Sequence, residues 1–153
     1  MHILIKDFNG FSTSIEIEST SIVEKIKEKI DECFRIPREG QSLKLNGTEL
    51  DDNKIINQYD IKEGTILELI LKDNYIKINA INIMGKILTF YCKISDKIKD
   101  IKIKINNREG IPVAFQKLIF DSKEKKIVLE DDKSIDDYKI KMNDRIHILY
   151  NNL

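Results

Sequence analysis

Imidazole and thiol are scarce in this chain, which has only His2, His147, Cys33 and Cys92. Neither histidine stands at a spacing from a cysteine or aspartate that would build a nucleophilic dyad or a metal site, and no CxxC pair occurs. The carboxylate clusters Asp51-Asp52 and Glu130-Asp131-Asp132 fall in turn-like segments, where solvated loop charge is the expectation. No GxxxxGK or GxGxxG stretch is present to cradle a phosphate. The sequence therefore predicts no catalytic residue, no cofactor and no metal, and a protein that is not an enzyme.

The 153 residues carry 26 Lys+Arg against 26 Asp+Glu, so no net positive charge favours a nucleic-acid backbone. No apolar run approaches the roughly 18 residues of a spanning helix, so no membrane segment is expected. Thirty Ile, 22 Lys and 12 Asn fit an A/T-rich coding bias, so isoleucine alone is weak evidence for strand. Two cysteines without a leader-like N-terminus predict a reducing compartment, cytoplasmic or nuclear. Cys92 is expected in a core, and Cys33, near a helix end, as an inert surface thiol.

The chain repeats itself. Shifted by 75, Ile3 falls on Ile78, Gly10 on Gly85, Lys27 on Lys102, Pro37 on Pro112 and Gln41 on Gln116. Beyond a four-residue insertion in the loop around Ser122 to Lys126, the shift becomes 79, pairing Leu50 with Leu129, Tyr59 with Tyr138 and Ile61 with Ile140. Two homologous domains follow, residues 1–72 and 76–153, joined by a short linker at 73–75.

Each repeat begins with two alternating runs about a glycine turn, Ile3 and Ile5 before Asn9-Gly10 and Thr13, Ile15 and Ile17 after it, which predicts a hairpin. Val23, Ile26 and Ile30 then recur at helical spacing, with Thr20 and Ser21 available as caps and Pro37 as a stop. Short strands at Ser42 to Leu45 and around Glu49-Leu50 flank Asn46-Gly47, and a last alternation runs through Leu67, Leu69 and Leu71. A helix lying on one apolar sheet face gives an α+β fold.

These residues resemble the ubiquitin family. MHILIKDFNG, KIKEKI and NQYDIKEGTILELIL carry the likeness in the first repeat, and NREGIPVAFQKLIF with LEDDKSIDDYKI in the second. The resemblance implies two tandem β-grasp domains and an apolar recognition patch on the open sheet face of each. In the first domain the matching positions are Phe8, Lys44, Glu68 and Ile70. Lys44 replaces an aliphatic residue and Glu68 a histidine, so the patch centre is charged and a cross-strand ion pair worth at most about 1 kcal/mol is expected. In the second domain Ile83, Ile119, His147 and Leu149 all keep the family pattern, which makes this domain the expected site for an apolar helix or zinc-finger-type receptor.

Family members that are conjugated act through a slim Gly-Gly tail, whereas Tyr150-Asn151-Asn152-Leu153 and the Lys72-Asp73-Asn74 connection contain no glycine. The expectation is a non-catalytic tandem adaptor, not conjugatable as written, that binds ubiquitin receptors, ligases, deubiquitinases or the proteasome. The alternatives are a covalent modifier whose Gly-Gly lies beyond these residues, and a scaffold recruited to an unrelated task. Residues 1–74 hold ten basic and fifteen acidic side chains, and residues 75–153 sixteen and eleven, so the net zero is the sum of −5 and +5. With a three-residue linker that spans at most about 10 Å, this predicts intramolecular docking of the domains. Scattering that shows an extended shape unchanged from low to high salt would refute that docking.

Overall fold

A computed structural model describes residues 1–151; the tail residues Asn152 and Leu153 lie outside the described residues. The chain divides into two compact units, residues 1–73 and from Asn74 onward.

In the first unit, β1 (His2–Lys6) and β2 (Ser12–Glu16) form the expected hairpin, closed through Gly10 at φ +86°. Then follow α1 (Val23–Phe34), β3 (Gln41–Leu45), β4 (Thr48–Glu49) and β5 (Ile66–Leu71). The strand order is β2-β1-β5-β3-β4, with β5 parallel to β1 and every other pair antiparallel. The helix α1 joins β2 to β3, which run parallel on opposite sides of the central pair β1-β5, so this connection must cross the sheet and cannot be a hairpin. Ile3, Ile5, Ile15, Leu43, Leu67 and Leu69 supply the buried sheet face, and Val23, Ile26 and Ile30 the buried side of α1.

The second unit repeats the plan with β6 (Tyr75–Ile81), β7 (Ile87–Lys93), α2 (Ile98–Glu109), β8 (Gln116–Asp121), β9 (Lys126–Val128) and β10 (Arg145–Tyr150), in the order β7-β6-β10-β8-β9. Ile78, Phe90, Cys92, Ile101, Ile105 and Ile148 belong to one packed core cluster. Each such side chain contributes about 1.5–3 kcal/mol on burial before entropy is counted. Both units have the α+β β-grasp architecture that the sequence predicted. Tyr75, assigned from sequence to the linker, is instead a buried residue of β6.

The helix ends differ from the sequence reading. No side chain caps α1: its N-cap is Ile22, and neither Thr20 nor Ser21 is used. The first free N–H groups find backbone carbonyls instead, Val23 N donating to Lys54 O at 2.9 Å and Glu24 N to Asp52 O at 3.0 Å. In α2, Ile98 N and Lys99 N reach Lys133 O and Asp131 O in the same way. A loop folded over the helix start satisfies the orphan donors that a hydroxyl would otherwise take. At the other end α1 stops at Arg35, in the left-handed region at φ 59°, two residues before Pro37.

An ion pair between a buried ammonium and a half-exposed carboxylate recurs in each unit. The Lys27 ammonium, 3% exposed, meets Asp52 at 2.5 Å, and Lys102 meets Asp131 at 2.6 Å. Asp52 and Asp131 therefore have a structural task, where the sequence suggested only solvated loop charge. Gln41 Nε2 donates to Lys27 O and Ile36 O, and Gln116 Nε2 to Lys102 O and Ile111 O, tying each helix to the strand that follows it.

Candidate recognition surface on the open sheet faces

Each sheet buries one face and leaves the other open, and strand register decides which side chains stand together on the open face. In the first unit Lys44 lies directly opposite Glu68 on one side and Glu49 on the other, and Lys6 lies opposite both Glu68 and Ser12. One row therefore crosses all five strands as Glu49, Lys44, Glu68, Lys6, Ser12. The predicted neighbours Lys44 and Glu68 are adjacent, but among the described residues neither makes a salt bridge. Each lysine of the row has a carboxylate on at least one side, and solvent screens them all. Glu49 Oε1 accepts from Ser42 Oγ at 3.0 Å. Phe8 is exposed in the β1–β2 turn and Ile70 is half-buried on β5, so the two apolar members flank a charged centre.

The same row of the second unit has the opposite chemistry. Ile119 is opposite Val128 and His147, His147 is opposite Ile81, and Ile81 is opposite Ile87. The row reads Val128, Ile119, His147, Ile81, Ile87 from β9 to β7. Its ends stand out into solvent, Val128 at 52% and Ile87 at 54% exposure, while Ile119, His147 and Ile81 are half-buried between neighbours. Leu149, opposite Lys117, and Ile83, in the β6–β7 turn, adjoin the row on one side. Of the four residues expected from sequence, Ile119 and His147 are thus direct cross-strand partners, and Leu149 and Ile83 border them. The sequence reading missed Ile81, Ile87 and Val128. The repeat itself held the signal, since these three replace Lys6, Ser12 and Glu49 at shifts of 75 and 79.

Among the described residues no group of three or more His, Cys, Asp or Glu could hold a metal ion. His2 is engaged within the first unit: its Nδ1 lies 3.1 Å from Glu63, and its backbone N–H donates to the same carboxylate at 2.8 Å. That backbone donor is the main reason the Glu63 carboxyl is held below its usual range. Burial pushes the Cys92 thiol up to about 12, which removes it as a nucleophile, while Cys33 is exposed.

The β7 edge is covered. Arg108 Nη1 donates to Thr89 O at 2.6 Å and Lys104 Nζ to Tyr91 O at 3.1 Å, occupying carbonyls that a foreign strand would need. In the first unit Lys29 Nζ reaches Glu16 O, and Cys33 stands where Arg108 does. For the second unit the open face, rather than the edge, is the accessible route for a partner.

The ubiquitin family model matches residues 3–74 and again 76–152. The chain belongs to the ubiquitin family. Ubiquitin-like protein NEDD8 of Dictyostelium discoideum is 34% identical over 71 residues, which cover 46% of this chain and 92% of that protein. NEDD8-like protein RUB3 of Arabidopsis thaliana is 35% identical over 71 residues, 46% of this chain and 91% of its own length. Ubiquitin D of Rattus norvegicus is 34% identical over 55 residues, 36% of this chain and 34% of that protein. This tandem ubiquitin-like chain is thus homologous to NEDD8-type modifiers, a family whose partners belong in general to the ubiquitin system. Among the described residues no helix is long and apolar enough to cross a membrane.

Proposed function

We propose that this tandem ubiquitin-like protein is a non-catalytic interaction module of the ubiquitin system, in which the second domain receives partners and the first does not. The observation that supports this is the contrast between the two five-strand rows: four aliphatic residues around His147 in one domain, and two lysines and two glutamates in the other. An apolar receptor surface gains by covering Ile119 and its neighbours, at roughly 25 cal/mol per Å² of apolar area removed from water. Pressed on Lys44 and Glu68, the same surface would strip water from charges and return no partner for them. Ubiquitin-binding receptors, ligases, deubiquitinases or proteasomal subunits are the partner classes proposed, with a role in protein ubiquitination or proteasomal degradation, in the cytoplasm or nucleus. The experiment is affinity capture from the native cell with wild type beside Ile119→Asp. Proteins bound through the face are expected to be lost from the variant, and a variant that retains every partner would overturn the reading.

A second reading is favoured by a separate observation, the likeness of 71 residues to proteins named as NEDD8 and NEDD8-like. In that reading the protein is a covalent modifier. ATP-dependent thioester formation with an activating enzyme separates the two: the module forms none, and a modifier does.

A further inference from the structure

Where β6 extends beyond the first residue of β10, loop residues 142–144 continue the parallel ladder. Asn79 N donates to Asp144 O at 3.0 Å, and Asn143 N donates to Lys77 O at 2.8 Å. The remaining donor of this junction, the Lys77 N–H, is taken by a side chain, Met142 Sδ at 3.2 Å. A thioether is a weak acceptor. The first unit builds the same junction bond for bond: Leu4 N donates to Thr65 O at 2.9 Å, Gly64 N to His2 O at 2.8 Å, and the His2 N–H to Glu63 Oε2 at 2.8 Å. At the repeat shifts of 75 and 79, Lys77 falls on His2 and Met142 on Glu63. One backbone donor thus meets a carboxylate oxygen in the first unit and a sulfur in the second. The position accommodates an oxygen acceptor on a side chain of similar length.

The sulfur is also within reach of solvent. Met142 is 44% exposed, and the Lys77 bond occupies one side of its sulfur, leaving a lone pair for an electrophilic oxygen. Hydrogen peroxide supplies such an oxygen. The sulfur lone pair attacks one peroxide oxygen, the O–O bond breaks, and the departing hydroxide takes the proton from the transferred oxygen to become water. The thioether is oxidised to the sulfoxide and the peroxide is reduced. In a core the new S=O dipole would be left without a donor and would disturb packing. Beside Lys77 it has one. The sulfoxide oxygen projects from the sulfur by one bond, so a small withdrawal of the flexible side chain sets it at an ordinary N–H···O distance.

We propose that Met142 is an oxidation site whose sulfoxide is built into the fold: its oxygen replaces the sulfur as acceptor of the Lys77 N–H, as Glu63 accepts the His2 N–H in the first unit. Oxidation at this residue tightens the junction between β6 and the loop before β10 instead of loosening it. The change is reversible, because methionine sulfoxide is open to enzymatic reduction. The second unit alone has this response, since the first holds a carboxylate at the same place.

The test treats the ¹⁵N-labelled full chain with hydrogen peroxide in a Met84→Leu background, which leaves Met142 as the methionine of the second unit. Peptide mass spectrometry locates the added oxygen. Met142 is expected to gain one oxygen, the Lys77 amide proton to move downfield, and its exchange with solvent to slow about fivefold. The urea midpoint of the oxidised chain is expected to stay level or rise. Met142→Glu, which puts a carboxylate where the first unit has one, is expected to reproduce the downfield position without peroxide. Met142→Leu, which keeps the apolar volume and removes the acceptor, is expected to speed Lys77 exchange about fivefold and to abolish the response of that amide to peroxide. An unchanged or upfield Lys77 amide on oxidation, faster exchange there, or a lower urea midpoint would overturn the inference. So would a Met142 that stays reduced while Met84 of the unsubstituted chain is fully converted, or a Lys77 amide that responds to peroxide equally in Met142→Leu.

Discussion

Lys102 and Asp131 show how one side chain can be cheap to keep and costly to lose. The ammonium is buried and its carboxylate half-exposed, so removing the carboxylate strands a charge away from water. Asp131→Ala is expected to cost about 1–2 kcal/mol, below the full cost of breaking a buried pair because solvent still reaches that side; urea denaturation measures it. At the thiols the contrast is kinetic as well as energetic. A thiol reagent should modify Cys33 in the native protein and reach Cys92 only on unfolding. Folding raises the Cys92 pKa from about 9 to about 12. Its contribution to stability is therefore complete below pH 9 and is lost as pH rises toward 12, since only the unfolded thiol ionises in that window. A stability profile taken above pH 9 should be flatter in Cys92→Ala than in the wild type.

At the level of elements, the two helices end alike in geometry and differently in residue. Gly110 follows α2 at φ 74°, where glycine is at ease, but Arg35 follows α1 at φ 59°. Each closes the last turn, Arg35 N donating to Asp31 O and Gly110 N to Asn106 O. Arg35→Gly is expected to stabilise the first domain by about 0.5–1 kcal/mol, visible as a higher unfolding midpoint, because the left-handed conformation costs a residue with a Cβ. Strand pattern was legible in the sequence wherever one face is buried: the alternation of Ile3 with Ile5 and of Leu67 with Leu69 fixed the inward set. Helix starts were not legible, because carbonyls at residues 52 and 54 satisfy the first N–H groups of α1, and no local sequence rule sees a partner thirty residues away.

For the whole molecule, the duplication gives two domains of one fold with unlike faces. Because the second domain carries the apolar row and the first a charged one, the chain should bind one receptor through these faces, not two. Calorimetry is expected to return a stoichiometry near one, and none in Ile119→Asp; two sites per chain would contradict the division of roles. The charge totals sharpen the same contrast, −5 in residues 1–74 and +5 in residues 75–153.

The sequence by itself determined the repeat, the family and the α+β class, because burial periodicity and turn glycines are local and each was written twice. It also placed Ile119 and His147 on the open face. Only the tertiary structure decided which side chains share a row. Val128, Ile119, His147, Ile81 and Ile87 come from five strands spread over nearly seventy residues, and their adjacency exists only in the hydrogen-bonded register of the sheet. The same holds for Asp52 and Asp131, which read as loop charge until folding sets each beside a buried lysine. Register and long-range pairing depend on distances between segments, and a linear pattern of residue types does not carry those distances.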